Sequence, residues 1–162
     1  MHGDELGSID RKHNLYGARM VPADSVRLAS EQKNMSQQMY ELDRGRRAVV
    51  LDSLVERSHQ RGWNLWAVHV RTNHVHVVVE AELQPERVMN DLKAFASRRL
   101  STAGFDSPTR KRWARHGSTR WLWKYADLVA AIRYVVDGQG TAMSVFEAPE
   151  TPGQPLPMVA AQ

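Results

Sequence analysis

Two histidines stand one residue apart in the stretch TNHVHVVVE, residues 72–80. Successive side chains of a β-strand point to opposite faces, so His74 and His76 share one face while the intervening valines share the other. Two residues of strand separate the backbones by about 6.6 Å, which lets both imidazoles converge on one ion. The spacing indicates a metal site. The competing interpretation is a half-buried histidine pair hydrogen-bonded to its neighbours, since short motifs often arise without function.

A tyrosine near the end of the chain is the second group with chemical potential. In the predicted helix DLVAAIRYVV, residues 127–136, the apolar residues form one stripe, and Tyr134 projects roughly opposite its middle. An exposed surface tyrosine is the commoner explanation. A phenol is largely protonated at neutral pH, so a nucleophilic Tyr134 needs a base or a metal-polarised electrophile beside it. The histidine pair could provide that assistance.

The elements that must position these groups follow from periodicity and turn residues. The pattern predicts a first strand near Val26, a helix over 46–62, two strands over 63–80 joined as an antiparallel hairpin, a helix over 84–100, a strand over 119–123 and a helix over 127–136. Helices packed on an antiparallel sheet form an α+β fold. We expect the ferredoxin-like arrangement with one additional C-terminal helix that carries the tyrosine.

The bulk composition narrows the class of protein. The chain has 162 residues, 42% of them hydrophobic, no cysteine and a formal net charge of +4. One domain with a substantial core is expected from that length. The absence of cysteine excludes disulfides and thiolate metal sites and favours a cytoplasmic protein. No segment has the apolar length of a membrane span, so we expect no membrane association.

Positive charge is concentrated in one segment, since residues 91–134 contain ten Lys or Arg residues against three Asp. Three tryptophans, Trp113, Trp121 and Trp123, lie among these cations. Cations neutralise phosphates and aromatic faces stack on unpaired bases, so the mixture suits single-stranded nucleic acid as well as a solvated basic face. Because Trp121 and Trp123 alternate on a strand, we expect them in the core.

Polar, aperiodic sequence predicts a flexible segment over residues 1–20, and four prolines in the last fifteen residues predict a flexible tail over 148–162. The predicted domain lies between them, over residues 21–147.

A strand bearing His, a hydrophobic residue and His, then a basic helix, then a helix with a lone tyrosine, resembles the HUH endonucleases. Among these endonucleases, the chain most resembles the single-tyrosine transposases of small insertion sequences and their REP-associated relatives. The resemblance lies in the stretches NHVHVVV, MNDLKAFASRRL, STRWLW and AAIRYVVDGQG. The resemblance runs from about Val26 to Met143. The histidine-triad hydrolases fit less well, because Val78 occupies the place of their third histidine.

The resemblance implies that Tyr134 is the nucleophile and that His74 and His76 bind Mg²⁺ or Mn²⁺. Family members carry a further polar ligand one turn after the tyrosine, where this chain has Gly138. Gln139 is the nearest candidate, although on a continuous helix it would point away from Tyr134. We expect Gly138 to end the helix and bring Gln139 round, and Asp137 is the alternative ligand.

The function that the resemblance implies is cleavage and rejoining of single-stranded hairpin DNA through a 5′-phosphotyrosine, as in DNA transposition, by a homodimer associated with the nucleoid. The candidate phosphate contacts are Lys93, Arg98, Arg99, Arg120 and Lys124. Two other functions remain open: a non-catalytic single-strand binding module, and a metal-dependent phosphodiesterase that uses water.

Overall fold

The computed structural model describes residue 37 and residues 39–115, 117–149 and 158–161. The predicted N-terminal flexible segment and the predicted strand near Val26 lie outside these ranges.

Three helices form where the apolar stripes predict them. Helix α1 spans Arg44–Arg61, α2 spans Pro85–Thr102 and α3 spans Tyr125–Val136. The Asp43 side chain accepts a hydrogen bond from the backbone N–H of Arg46 and so caps α1 at its start. Gly62 ends the same helix in the left-handed conformation, with φ of 67°, which glycine adopts without steric cost.

Five strands form a single sheet: β1 (Asn64–Val70), β2 (Val75–Glu80), β3 (Thr119–Leu122), β4 (Ser144–Glu147) and β5 (Met158–Ala161). Their order across the sheet is β3-β5-β2-β1-β4, and every neighbouring pair is antiparallel. The predicted hairpin is β1 and β2, in which His69 lies opposite His76. These findings confirm the predicted α+β class with helices on an antiparallel sheet.

The helices cover the two faces of the sheet unequally. On one face, α1 and α2 pack against the valines of β1 and β2 that alternate with the histidines, including Val68, Val77 and Val79. On the other face, α3 packs through Leu128, Ile132 and Val135 against a smaller cluster that includes Val78. The strand alternation therefore places His74 and His76 on the α3 side of the sheet.

Two strands were absent from the prediction. β4 pairs with the outer edge of β1, and β5 lies between β2 and β3. The expectation of a loose tail over 148–162 was wrong for Met158–Ala161, because both neighbouring strands offer backbone hydrogen bonds to these four residues. Such pairing depends on backbone groups and leaves little trace in composition.

None of the helices in the described ranges is both long and apolar enough to cross a lipid bilayer.

Candidate active site

The structure brings the two histidines and the tyrosine to one face of the sheet. The ring centroids of His74 and His76 are 4.8 Å apart with the rings nearly perpendicular. The ring centroids of His76 and Tyr134 are 5.9 Å apart, again edge to face. Tyr134 belongs to the last turn of α3 and remains 48% exposed, so its phenol is accessible to a large substrate while its helix is anchored on the sheet.

His76 is held in its neutral form. Burial lowers its pKa to about 4, and the positive charge of Arg71 adds to this effect, because a second positive charge there would be repelled. The His76 Nδ1 atom is buried and has no hydrogen-bond partner in the described part of the chain. A neutral imidazole with an unpartnered buried nitrogen is the form that binds a metal ion.

His74 is oriented by its neighbour in the chain. Its Nδ1 lies 2.6 Å from Oδ1 of Asn73. Because the amide oxygen can only accept, the His74 Nδ1 carries a proton, and Nε2 is the ring nitrogen through which a neutral His74 would bind a metal ion. A ligating histidine is commonly oriented in this way by a hydrogen bond to its other nitrogen. Asn73 therefore belongs to the site, and sequence reasoning had passed over it as part of the turn.

Gln139 reaches the site because α3 stops early. The helix ends at Val136 with Asp137 as its C-cap, and Gly138 and Gln139 lie beyond its end. The Gln139 side chain donates from Nε2 to the carbonyl oxygen of Tyr134 at 3.2 Å, and its interaction with His76 opposes the lowering of the histidine pKa. Gln139 is thus next to both groups, whereas Asp137 is exposed at the helix end.

Gly138 has a different role from the predicted one. Its φ is not positive, unlike that of Gly140, so the helix end does not depend on the backbone freedom of glycine at 138. A Cβ at this position would lie 2.7 Å from the carbonyl oxygen of Tyr134 and 3.0 Å from its Cδ2. Glycine is needed because the chain passes directly over the tyrosine.

The donor set fits Mg²⁺ or Mn²⁺ only if the amide oxygen of Gln139 joins the imidazoles. The described residues contain no cluster of three or more His, Cys, Asp or Glu side chains able to hold a metal ion. Two imidazoles and one amide oxygen form a mixed nitrogen and oxygen set, which suits Mn²⁺ better than Mg²⁺. The unpartnered Nδ1 of His76 is the observation that favours this fit.

The predicted phosphate contacts are divided between the two faces of the sheet. Lys93, Arg98 and Arg99 lie on α2, which packs on the face opposite Tyr134. Lys93 is half-buried, donates to the carbonyl oxygen of Ala114 and has a pKa lowered by burial. Arg99 pairs with Glu56 at 3.3 Å. These three cations therefore do not meet the tyrosine within one chain.

Other cations are on the tyrosine side. Arg120 alternates with Trp121 on β3 and so shares the face of Leu122, which packs against α3. Lys124 is the exposed N-cap of α3, about 15 Å along the helix axis from Tyr134. Arg71 is closer to the site, since its charge acts on His76 and its guanidinium donates to the carbonyl oxygen of Thr141. Arg71 was not predicted; it stands three residues before His74 in the turn.

Trp121 of β3 and Trp123, which follows the strand, are not core residues as a pair. Trp123 is 67% exposed and Trp121 is half-buried, and their rings stack with centroids 5.2 Å apart and planes 15° from parallel. The expectation of a buried pair was wrong, because β3 lies at the edge of the sheet. One face of an indole is thus open beside Lys124.

A family model described as "Transposase IS200 like" matches residues 32–126. The match includes the histidine pair and the first two residues of α3, and it ends before Tyr134. No curated protein and no solved structure matches the chain.

Proposed function

The chain belongs to the family of IS200-like transposases, and from this premise we propose that it cleaves and rejoins single-stranded DNA through a covalent bond to Tyr134. Membership alone assigns the chain to DNA transposition, since the family is made up of transposases, which are DNA-cleaving enzymes. The single observation that supports the finer mechanism is the position of Tyr134, whose ring centroid is 5.9 Å from that of His76 on the same face of the sheet.

The proposed step is a transesterification. The Tyr134 hydroxyl oxygen attacks the scissile phosphorus and loses its proton, an O–P bond forms to the tyrosine, and the bond from phosphorus to the 3′ oxygen breaks. The products are a 5′-phosphotyrosine and a strand whose 3′ oxygen has taken up a proton. The polarity of cleavage comes from the resemblance to single-tyrosine transposases. The phosphotyrosine ester retains the free energy of the cleaved phosphodiester bond. Attack by another 3′-hydroxyl on this ester therefore rejoins strands without a nucleotide cofactor.

His74, His76 and Gln139 are the residues that would hold Mg²⁺ or Mn²⁺. Bound by these residues, such an ion would supply Lewis-acid polarisation of the scissile phosphate and would stabilise charge that develops in the transition state. The chain's own contributions are orientation and control of protonation: Asn73 orients the His74 imidazole, and the burial of His76 keeps that imidazole neutral. Arg71 is a further positive charge within reach of the same phosphate.

We propose single-stranded DNA with a hairpin as the substrate. The open indole of Trp123 offers a stacking surface for an unpaired base, and Lys124, the next residue in the chain, is the candidate for a phosphate contact there, whereas Arg120 lies on the other face of β3 from the stacked tryptophans. Lys93, Arg98 and Arg99 on the opposite face fit a longer path of DNA around the protein or around a homodimer. The homodimer is proposed from the family resemblance, and action in the cytoplasm on nucleoid DNA is proposed from the absence of cysteine together with the DNA substrate.

The test is incubation of the full chain with a hairpin-bearing oligonucleotide labelled on the 3′ side of the expected cut, in the presence of Mn²⁺. The proposal predicts a labelled adduct that survives denaturing electrophoresis, is absent in Tyr134→Phe and in His76→Ala, and does not form when a chelator is present from the start. Tyr125→Phe is the matched control, because Tyr125 is also exposed on α3 but lies at its other end.

The other candidate functions give different results in this experiment. A phosphodiesterase that activates water would cut the oligonucleotide without an adduct, and Tyr134→Phe would still cut. A non-catalytic binding module would retain the oligonucleotide and cut it under no condition.

A further inference from the structure

A third histidine, His69, lies beside the candidate site but contributes no ligand to it. It occupies β1 directly opposite His76 and is fully buried, with 0% of its surface exposed. Both of its ring nitrogens have backbone partners. Nδ1 is 2.9 Å from the carbonyl oxygen of Val135, and Nε2 is 3.2 Å from the backbone nitrogen of Met143.

The partners determine the protonation of His69. A carbonyl oxygen can only accept, so Nδ1 carries a proton and donates it to Val135. A backbone N–H can only donate, so Nε2 accepts from Met143 through its lone pair. His69 is therefore a neutral imidazole with its proton on Nδ1, and neither nitrogen is available to a metal ion.

The two bonded segments are the ones that carry Tyr134 and Gln139. Val135 follows the tyrosine directly, and its carbonyl lies in the last turn of α3, where helix carbonyls lack a partner within the helix. The neighbouring carbonyls of Arg133 and Tyr134 accept from Asp137 and Gly138. The carbonyl of Val135 is instead satisfied by His69, so the strand that faces His76 also holds the end of the tyrosine helix.

The backbone N–H of Met143 makes the second hydrogen bond to His69. Residues 137–143 run from the end of α3 to β4 and include Gln139. The bond from the Met143 amide to His69 attaches the far end of this segment to β1, and Arg71 donates to the carbonyl of Thr141 close by. The position of Gln139 is thus bounded by the helix end on one side and by His69 on the other.

We propose that His69 is a positioning residue with two separable roles. Its Nδ1–H sets the position of Tyr134 relative to the scissile phosphate, and its Nε2 sets the position of the segment that carries Gln139. This inference rests on the proposed function for its catalytic consequence, but the two hydrogen bonds can be tested without catalysis.

Two conservative substitutions separate the roles. His69→Asn keeps a donor at the place of Nδ1 and removes the acceptor for Met143, whereas His69→Gln can keep an acceptor at the place of Nε2 and removes the donor to Val135. At saturating Mn²⁺, we expect adduct formation in the Gln variant to fall by about 100-fold and that in the Asn variant to stay within about threefold, because small displacements of a reacting group carry losses of this size. Mn²⁺ affinity, measured by electron paramagnetic resonance, should fall about tenfold in the Asn variant only.

The proposal is tested by comparing adduct formation and Mn²⁺ affinity between the two variants. Equal losses in both variants, or losses that only follow the melting temperature, would show that His69 merely fills the core and would overturn the inference. If the wild-type chain forms no adduct, the proposed function is refuted instead. The two hydrogen bonds of His69 would then be tested by amide hydrogen exchange alone.

Amide hydrogen exchange on the wild-type chain needs neither a variant nor activity. The Met143 amide should exchange slowly although the residue is 40% exposed, and its exchange should match that of β4. Fast exchange at Met143 would overturn the second role. Met143→Pro, which removes this amide, against Met143→Ala, which retains it, tests the same bond at a surface position if both His69 variants fail to fold.

Discussion

The imidazole of His76 and the phenol of Tyr134 stand edge to face with their ring centroids 5.9 Å apart, although one belongs to a central strand and the other to the last helix. His69 connects the two elements, because it lies opposite His76 in the hairpin and donates to the carbonyl of Val135. The spacing of the pair is therefore determined by the sheet and by the end of the helix together.

Gly138→Ala should slow adduct formation by about tenfold or more while leaving DNA affinity unchanged. The added Cβ would lie 2.7 Å from the carbonyl oxygen of Tyr134, so the tyrosine or the following turn must move. Single-turnover rates at saturating DNA measure the effect. Gly140→Asn is the matched control, because nothing lies within 4 Å of a Cβ there and asparagine tolerates the positive φ of 73°. Equal rates in Gly138→Ala and the wild type would contradict the close approach.

Asn73→Ala should weaken Mn²⁺ binding by about 10- to 100-fold, the range seen when a ligand loses its orienting partner. The 2.6 Å hydrogen bond from His74 Nδ1 would be lost, and the imidazole could rotate. Titration calorimetry with Mn²⁺ measures the change, and Thr72→Ala, one residue earlier in the same turn, is the control. Unchanged Mn²⁺ affinity in Asn73→Ala would remove Asn73 from the site.

The metal-free chain should lose stability as the pH falls from about 6.5 to about 4. Burial lowers the pKa of His76 to about 4, whereas an unfolded histidine titrates near 6.5. Between these values the unfolded chain binds a proton that the folded chain does not, so acid favours unfolding; above 6.5 the group contributes no pH dependence. The full loss is about 3 kcal/mol.

Denaturant unfolding in the presence of a chelator measures this dependence. The variant His76→Gln should show a shallower decline over the same pH window, because it lacks the titrating group. Parallel curves for the two proteins would contradict a neutral, buried His76.

Trp123→Ala should weaken binding of an unpaired oligonucleotide by about 1–3 kcal/mol, and Trp123→Phe should retain most of the affinity. The exposed indole stacks on Trp121 on one side and leaves its other side open to a base. Fluorescence anisotropy with a labelled single strand measures the change, and a blunt duplex of the same length is the control ligand. An equal loss for the duplex would point to a general effect on the fold.

Much of the site could be predicted because alternation and helical periodicity are local properties. The strand period placed His74 and His76 on one face, and the stripe of Leu128, Ile132 and Val135 placed Tyr134 opposite. The distribution of the basic residues over the two faces of the sheet could not be predicted. Which face of the sheet a helix covers depends on the whole topology, so Lys93 was assigned to the same DNA surface as Arg120 although the sheet separates them.

Contacts to backbone atoms were also invisible in the sequence. Both partners of His69 are main-chain groups, Val135 C=O and Met143 N–H, which any residue at 135 and any residue except proline at 143 would supply. β5 was missed for the same reason, since its pairing with β2 and β3 involves backbone hydrogen bonds in a segment preceded by prolines. The sequence predicts a role for Gly138 at the helix end. The close approach of Tyr134, which leaves no room for a Cβ at position 138, is a property of the three-dimensional structure.

The most direct measurement is mass spectrometry of the peptide that carries Tyr134 after reaction with a hairpin oligonucleotide and Mn²⁺. In the wild-type protein, a nucleotide should be attached to Tyr134 through its 5′ phosphate; it should be absent in Tyr134→Phe and strongly reduced in His76→Ala. A nucleotide attached to another residue, or DNA cut at the same place by Tyr134→Phe, would contradict it.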